Sequence, residues 1–220
     1  MPPEHNAAFV ACMEDVLEVY KQPFDERYPV ICMDEKPYQL TDEKRNPIPM
    51  APLKPERRDS EYVRKGTCSI FVFTEPLAGW RHLSVSERRT KIDWAHQIRE
   101  LLDVHYPNAC KIKLVMDNLN THNLSSLYEA FDPETALKLA QRLELHYTPK
   151  HGSWLNITEI ELSVMTRQCL GRRFGGIETL SKELSVWESN RNTIQKGVDW
   201  QFTTEDARIS LKRLYPQFKS

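Results

Sequence analysis

The segment K-I-K-L-V-M-D-N-L-N-T-H, residues 111–122, reads as a strand that runs straight into a carboxylate. Lys111 to Met116 alternates and is aliphatic at its end, and Asp117-Asn118 stops it. Residues 28–37, Y-P-V-I-C-M-D-E-K-P, repeat the form: Val30 to Met33 is a short apolar run that ends at Asp34. One aspartate after a strand is an ordinary turn residue. Two carry more meaning, because in open α/β sheets ligands bind in the crevice beyond the carboxyl ends of the strands. Carboxylates that converge there repel one another unless a cation neutralises them, so the pair predicts a divalent metal.

Outward from these segments the pattern is α/β. Val10, Met13, Leu17 and Tyr20 fall at helical spacing near the start. Five prolines between Pro37 and Pro55 predict a long irregular insertion over 37–66, with or without a small hairpin. Thr67 to Thr74 is a strand by its β-branched and aromatic content, Pro76 and Gly79 turn the chain, and Arg81 to Ser86 returns. Ile92, Ala95, Ile98, Leu101 and Leu102 share one face of a helix ending near His105. Beyond Asp117, Leu124 to Phe131 is helical, and Asp132-Pro133 caps a further helix. Leu143, Leu145 and Tyr147 form a strand, and helices follow from Asn156 onward. A hairpin followed by helix–strand repeats implies a mixed sheet with helices on both faces. The organisation expected is an N-terminal helix over 1–24, a core over 25–175 and a C-terminal helical segment over 176–220 packed on it.

Composition narrows the class. The 220 residues are 40% hydrophobic and 28% charged, enough to bury a core and stay in solution. No run of eighteen apolar residues exists and no secretory signal opens the chain, so a cytoplasmic protein is expected, with its five scattered cysteines reduced. Net charge is −1, modest for a protein that grips DNA unaided. Between Lys44 and Lys65, however, seven basic residues, Arg57 and Arg58 among them, stand against three acidic ones. That stretch reads equally as a phosphate contact and as a solvated loop.

Glu159 is the third acid to consider. With Asn156 as helix N-cap it falls at the third helical position, where a capping box alone would explain it. Glu161 faces another direction, so replacing it should be mild. Glu35, next to Asp34, points to the opposite side if the strand continues, and is set aside.

Taken together, ICMDEKP, VMDNLNTH and HGSWLNITEIE resemble the acidic-triad transposases of the mariner superfamily, especially the bacterial insertion-sequence branch. The segments GTCSIFVFTEPLAGWRH and DWQFTTEDARISLKRLYP resemble that branch as well, so the likeness runs from about Val10 to Pro216. It implies a ribonuclease H-like fold, a mixed five-stranded sheet flanked by helices. It assigns the catalytic, metal-holding acids to Asp34, Asp117 and Glu159, with two Mg2+ or Mn2+ ions. Asn118, His122 and Asn156 would orient the acids or touch a phosphate, or serve only as turn and helix-start residues. Lys36, Lys150, His151 and Trp154 would contact DNA near the scissile phosphate, or lie on the surface without a role.

The implied partners are the element's terminal repeats and target DNA, the implied assembly a homodimer, and the implied location the bacterial nucleoid. The 41 residues between Asp117 and Glu159 exceed the usual spacing, and the excess falls where the extra helix after Asp132 is predicted. Relatives carry helix-turn-helix domains ahead of the core, so this chain reads as a truncated copy, the second frame of a split element, or a product of internal initiation. Two other functions fit the pattern less fully: a non-catalytic remnant that binds DNA or protein, and a ribonuclease H-like nuclease without strand transfer.

Overall fold

A strand apolar on both faces belongs in the middle of a sheet, and that is where Ile112–Asp117 lies. The protein is seen as a computed structural model that describes residues 6–45, 47–55 and 59–216. In chain order the elements are α1 (Ala7–Tyr20), β1 (Val30–Glu43), β2 (Tyr62–Glu75), β3 (Trp80–Ser86), α2 (Lys91–Glu100), β4 (Ile112–Asp117), α3 (Ser125–Ala130), α4 (Pro133–Gln141), β5 (Leu143–Thr148), α5 (Thr158–Gln168), α6 (Ile177–Ile194) and α7 (Thr204–Ser210). The five strands form one mixed sheet in the order β3-β2-β1-β4-β5. β1, β4 and β5 run parallel, and β2 is antiparallel to both of its neighbours.

The pleat of the central strands divides the core. Ile31, Met33, Phe71, Phe73, Leu114 and Met116 face Trp94, Ala95 and Ile98 of α2, with α3 and α4 alongside. Cys32 and Val115 face the other way, toward α1 and α7. On that same side Ile70, Val72 and Leu83 pack against α5 and α6. Asp132 caps α4 as expected, accepting the N–H groups of Glu134 and Thr135, so the extra residues between Asp117 and Glu159 form a helix of their own. No helix among the described residues is long and apolar enough to cross a membrane.

Two expectations need correction. β1 does not stop at Asp34: it continues to Glu43, pairing with β2 from Cys32 onward. Consequently much of 37–66 is strand, and of the described residues only 44–45, 47–55 and 59–61 lie outside the two strands, with Ala51 and Lys54 bridging one another. The prolines misled because β1 pairs with β4 only over Val30–Cys32. Beyond Cys32 no strand among the described residues pairs with that side of β1, so the missing N–H of Pro37, the one of the five within the strand, costs no ladder bond there. Arg173 ties down the root of the arm, reaching Glu43 and the carbonyls of Asp59, Ser60 and Glu61.

Candidate active site

Sheet register brings two of the acids to the same end of neighbouring strands. Cys32 of β1 is level with Val115 of β4, the last pair of that ladder, and Asp34 and Asp117 each follow two residues further on. Cys32 and Val115 share a face, so Asp34 and Asp117 share it too. The two carboxyls interact, Asp117 being the first of the charged neighbours that raise Asp34. Thr148, level with Asp117 on β5, donates its hydroxyl to Asp117 Oδ1 at 2.7 Å and fixes the side chain.

The third acid is brought by the start of α5. Asn156 Nδ2 donates to the Met33 carbonyl at 2.9 Å, one residue before Asp34. Its Oδ1 accepts the Thr158 N–H at 3.1 Å. The Tyr20 hydroxyl, buried against Cys32, donates to the Leu155 carbonyl at 2.8 Å. The first turn of α5 is thus fastened to β1, with Glu159 its second residue. The expected capping box is absent: Ile157 precedes the helix without a side-chain cap, and Glu159's carboxylate is exposed.

Electrostatics record the convergence. Asp34 is 9% exposed. Burial first, then the neighbouring Asp117 and Glu159, push its carboxyl up to about 7, although the Glu35 N–H donates to it at 2.8 Å. An all-oxygen set of acids destabilised by one another suits a hard divalent cation. The group of described residues whose ligand atoms all lie within 4.8 Å of one another is a different one, His82, Glu100 and His105.

Glu35 is a participant that sequence reasoning set aside. It does point to the opposite face, but there it meets His122: His122 Nε2 lies 3.2 Å from Glu35 Oε2, off the line of an ideal hydrogen bond. His122 Nδ1 lies 3.0 Å from the Asp117 carbonyl. Burial opposes charge on His122, but Glu35 and the Asp117 carbonyl outweigh it and hold its pKa above the usual value. The pair links the strand carrying Asp34 to the loop after Asp117. Strand alternation gave the direction of Glu35, and nothing local gave its partner.

The other expected residues fall as follows. Lys36 is on the Asp34 face of β1, half-buried. Asn118 is exposed beside Asp117. Lys150, His151 and Trp154 lie in the loop after Thr148 and are exposed, with Trp154 edge-on to Phe202 at 6.0 Å. His151 adopts φ +66°, a left-handed conformation that shapes this loop. Arg57 and Arg58 lie outside the described residues. Nearby, Lys44 pairs with Glu61 at 3.0 Å, Arg45 with Asp59 at 3.1 Å and Lys65 with Asp42 at 3.7 Å, so part of the basic stretch is neutralised on the arm itself.

Glu161 does face away from the triad, but it is not a bland surface residue. It is 1% exposed and held by Arg81 at 3.0 Å and Arg191 at 2.8 Å. Burial works against its charge, and the two guanidiniums overcome this and hold its pKa below the usual carboxylate value. The expectation that its replacement is mild does not fit this buried network.

The sequence profile of the DDE superfamily endonucleases matches residues 29–181, a span that contains all three acids. No curated protein sequence matches the chain. Among solved structures, the catalytic domain of Mos1 mariner transposase matches over 100% of both chains, at TM-score 0.60 and 14% identity. The Mos1 paired-end complex with left transposon end matches 99% of this chain and 66% of its own, at TM-score 0.63 and 16% identity. The Mos1 paired-end complex with Mn matches 89% of this chain at TM-score 0.57 and 17% identity, and the present chain spans 60% of its length. At these identities the likeness establishes the fold, a ribonuclease H-like mixed sheet flanked by helices.

Proposed function

Because the chain belongs to the DDE superfamily endonuclease family, we propose that it is the catalytic core of a transposase that cuts DNA at an insertion sequence's ends and joins those ends to target DNA. The observation that carries this is the placement of Asp34 and Asp117 on one face, each two residues past the level pair Cys32–Val115, with Asp117 and Glu159 close enough to help raise Asp34 to about 7.

Asp34, Asp117 and Glu159 would hold Mg2+ or Mn2+, two ions, through carboxylate oxygens alone. When bound, such ions favour deprotonation of the attacking hydroxyl and stabilise the leaving oxygen of an in-line displacement. The chain's own residues set the stage. Thr148 orients Asp117, and Asn156 and Tyr20 hold Glu159's helix against β1. Glu35 and His122 brace the loop after Asp117 from behind the sheet. Lys36, Lys150, His151 and Trp154 would meet the DNA backbone at the carboxyl edge of the strands, where Asn118 is also exposed.

The Mos1 structures include paired-end and pre-cleavage complexes. By analogy the present core would act on two paired ends, and the insertion-sequence likeness of its motifs favours a homodimer working at the nucleoid of a bacterial cell. The test is plasmid cleavage and strand transfer with Mg2+ or Mn2+ at low salt, where a chain of net charge −1 still engages phosphates. Wild type should yield nicked and joined products, and Asp34→Asn, Asp117→Asn and Glu159→Gln neither. Nicked products without joined ones would indicate a nuclease lacking strand transfer. A folded wild type that neither cuts nor binds metal would overturn the reading.

A further inference from the structure

Behind the sheet, on the face opposite Asp34, three ligating side chains converge that the proposed chemistry does not use. His82 of β3 is level with Phe73, and Phe73 with Met33, so it points to the α2 side. Glu100 ends α2, and His105 ends the π-helical turn Leu101–His105 that follows. One ligand atom from each lies within 4.8 Å of the others. His82 Nε2 is 3.6 Å from Glu100 Oε1. Donors around four-coordinate zinc, with bonds of about 2.0–2.1 Å, stand roughly 3.3 Å from one another, so closure needs only small movements.

Backbone, partner and burial all prepare these groups. In a regular α-helix, residues five apart point about 140° from each other. Here the Tyr106 N–H donates to the Leu101 carbonyl at 2.9 Å, a bond spanning five residues that widens the turn. That widening brings His105 onto the side of Glu100, and π turns of this kind recur at functional sites. Glu188 of α6 accepts the Leu83 N–H at 2.8 Å and lies 3.3 Å from His82 Nδ1. A carboxylate on Nδ1 leaves the Nε2 lone pair free, as in metal-bound histidines. Nε2 of His82 and Nε2 of His105 are both sealed from solvent and make no hydrogen bond, a costly state that a cation relieves.

We propose that His82, Glu100 and His105 form a second cation site, for a borderline transition-metal dication such as Zn2+. Two imidazoles and one carboxylate suit such an ion and not Mg2+. Three protein donors leave a position for solvent. The bound ion clamps the edge strand β3 to the end of α2.

The test uses Co2+ as a coloured probe on the full chain carrying Asp34→Asn, which weakens cation binding at the acidic triad. One equivalent should bind with a visible absorption band that Zn2+ bleaches and Mg2+ does not. Glu188→Gln should weaken binding about 10–100-fold, and His105→Asn should abolish the band. If His105→Asn does not fold, Glu100→Gln decides, since its side chain is 43% exposed and its loss leaves the core intact. Unchanged binding in Glu100→Gln, a band surviving in folded His105→Asn, or no uptake by the folded Asp34→Asn chain would each overturn the proposal.

Discussion

At the scale of single residues, Asp34 sets the electrostatic balance of the candidate site. Its carboxyl is raised from 3.8 to about 7, so between those values the unfolded chain has released a proton that the folded chain keeps. Stability therefore falls as pH rises through that window and stays low above it. The cost is on the order of 4 kcal/mol at most, each pKa unit being worth about 1.4 kcal/mol. Asp34→Asn removes the charge, and in EDTA at pH 8 it should melt several degrees above the wild type, the gap closing toward pH 4. A variant melting at or below wild type at pH 8 would mean the charge is already compensated. Glu161→Gln acts in the opposite sense. It leaves Arg81 buried without its charge partner and should cost about 3–5 kcal/mol at neutral pH, read by urea denaturation. Because Glu161's pKa is lowered, that contribution is present at neutral pH and fades in the wild type as pH drops below 4.5 toward the lowered value. In sequence Asp34 and Asp117 stood out as carboxylates after apolar runs, and Glu159 only through the motif resemblance, since its local pattern reads as a helix cap. Arg81, Glu161 and Arg191 did not stand out, since nothing in sequence pairs residues 80 and 30 positions apart.

Among elements, the start of α5 decides whether three acids make a site. Sequence placed the helix correctly and misread its beginning. Asn156 has the right chemistry for an N-cap, and its oxygen does take the Thr158 N–H, but its amide is spent on the Met33 carbonyl of another strand. A local pattern cannot report such a long-range partner. The length of β1 was hidden for a related reason: prolines argue against a strand only where both sides are paired. Asn156→Ala removes both bonds, leaves the buried Met33 carbonyl without its amide partner, and should cost about 1–3 kcal/mol. It should also cut DNA cleavage by roughly 10–100-fold, because Glu159 loses its fixed position while all three acids remain. Thermal melting and a cleavage assay on one preparation separate the two effects. Full activity in a destabilised Asn156→Ala would show that α5 is held by its apolar packing alone.

Over the whole molecule, the two ends of the described chain are one structural unit. Past α6 the chain pairs Val198 N–H with the Pro76 carbonyl at 2.8 Å, by the turn between β2 and β3. It then lays Trp200 against Tyr20, ring centres 5.4 Å apart, the same Tyr20 that holds Leu155 at the start of α5. Ala207 and Leu214 finish the core beneath α1, and Glu14 of α1 binds both Arg208 and Tyr215. The C-terminal segment thus braces the helix that carries Glu159 through one tyrosine. Trp200→Ala should cost less than the about 3–5 kcal/mol of a fully buried aromatic, since Trp200 is only partly buried against this core. Ending the chain after Gln195 removes Trp200, Ala207 and Leu214 together, against a total stability of about 5–15 kcal/mol for an ordinary domain. The shortened chain should be unfolded or protease-sensitive at 37 °C, and Trp200→Ala should lose part of its cleavage activity while staying folded. Equal urea midpoints for the full and shortened chains would refute the brace, whereas a shortened chain that folds but no longer cuts would place its role in positioning Glu159.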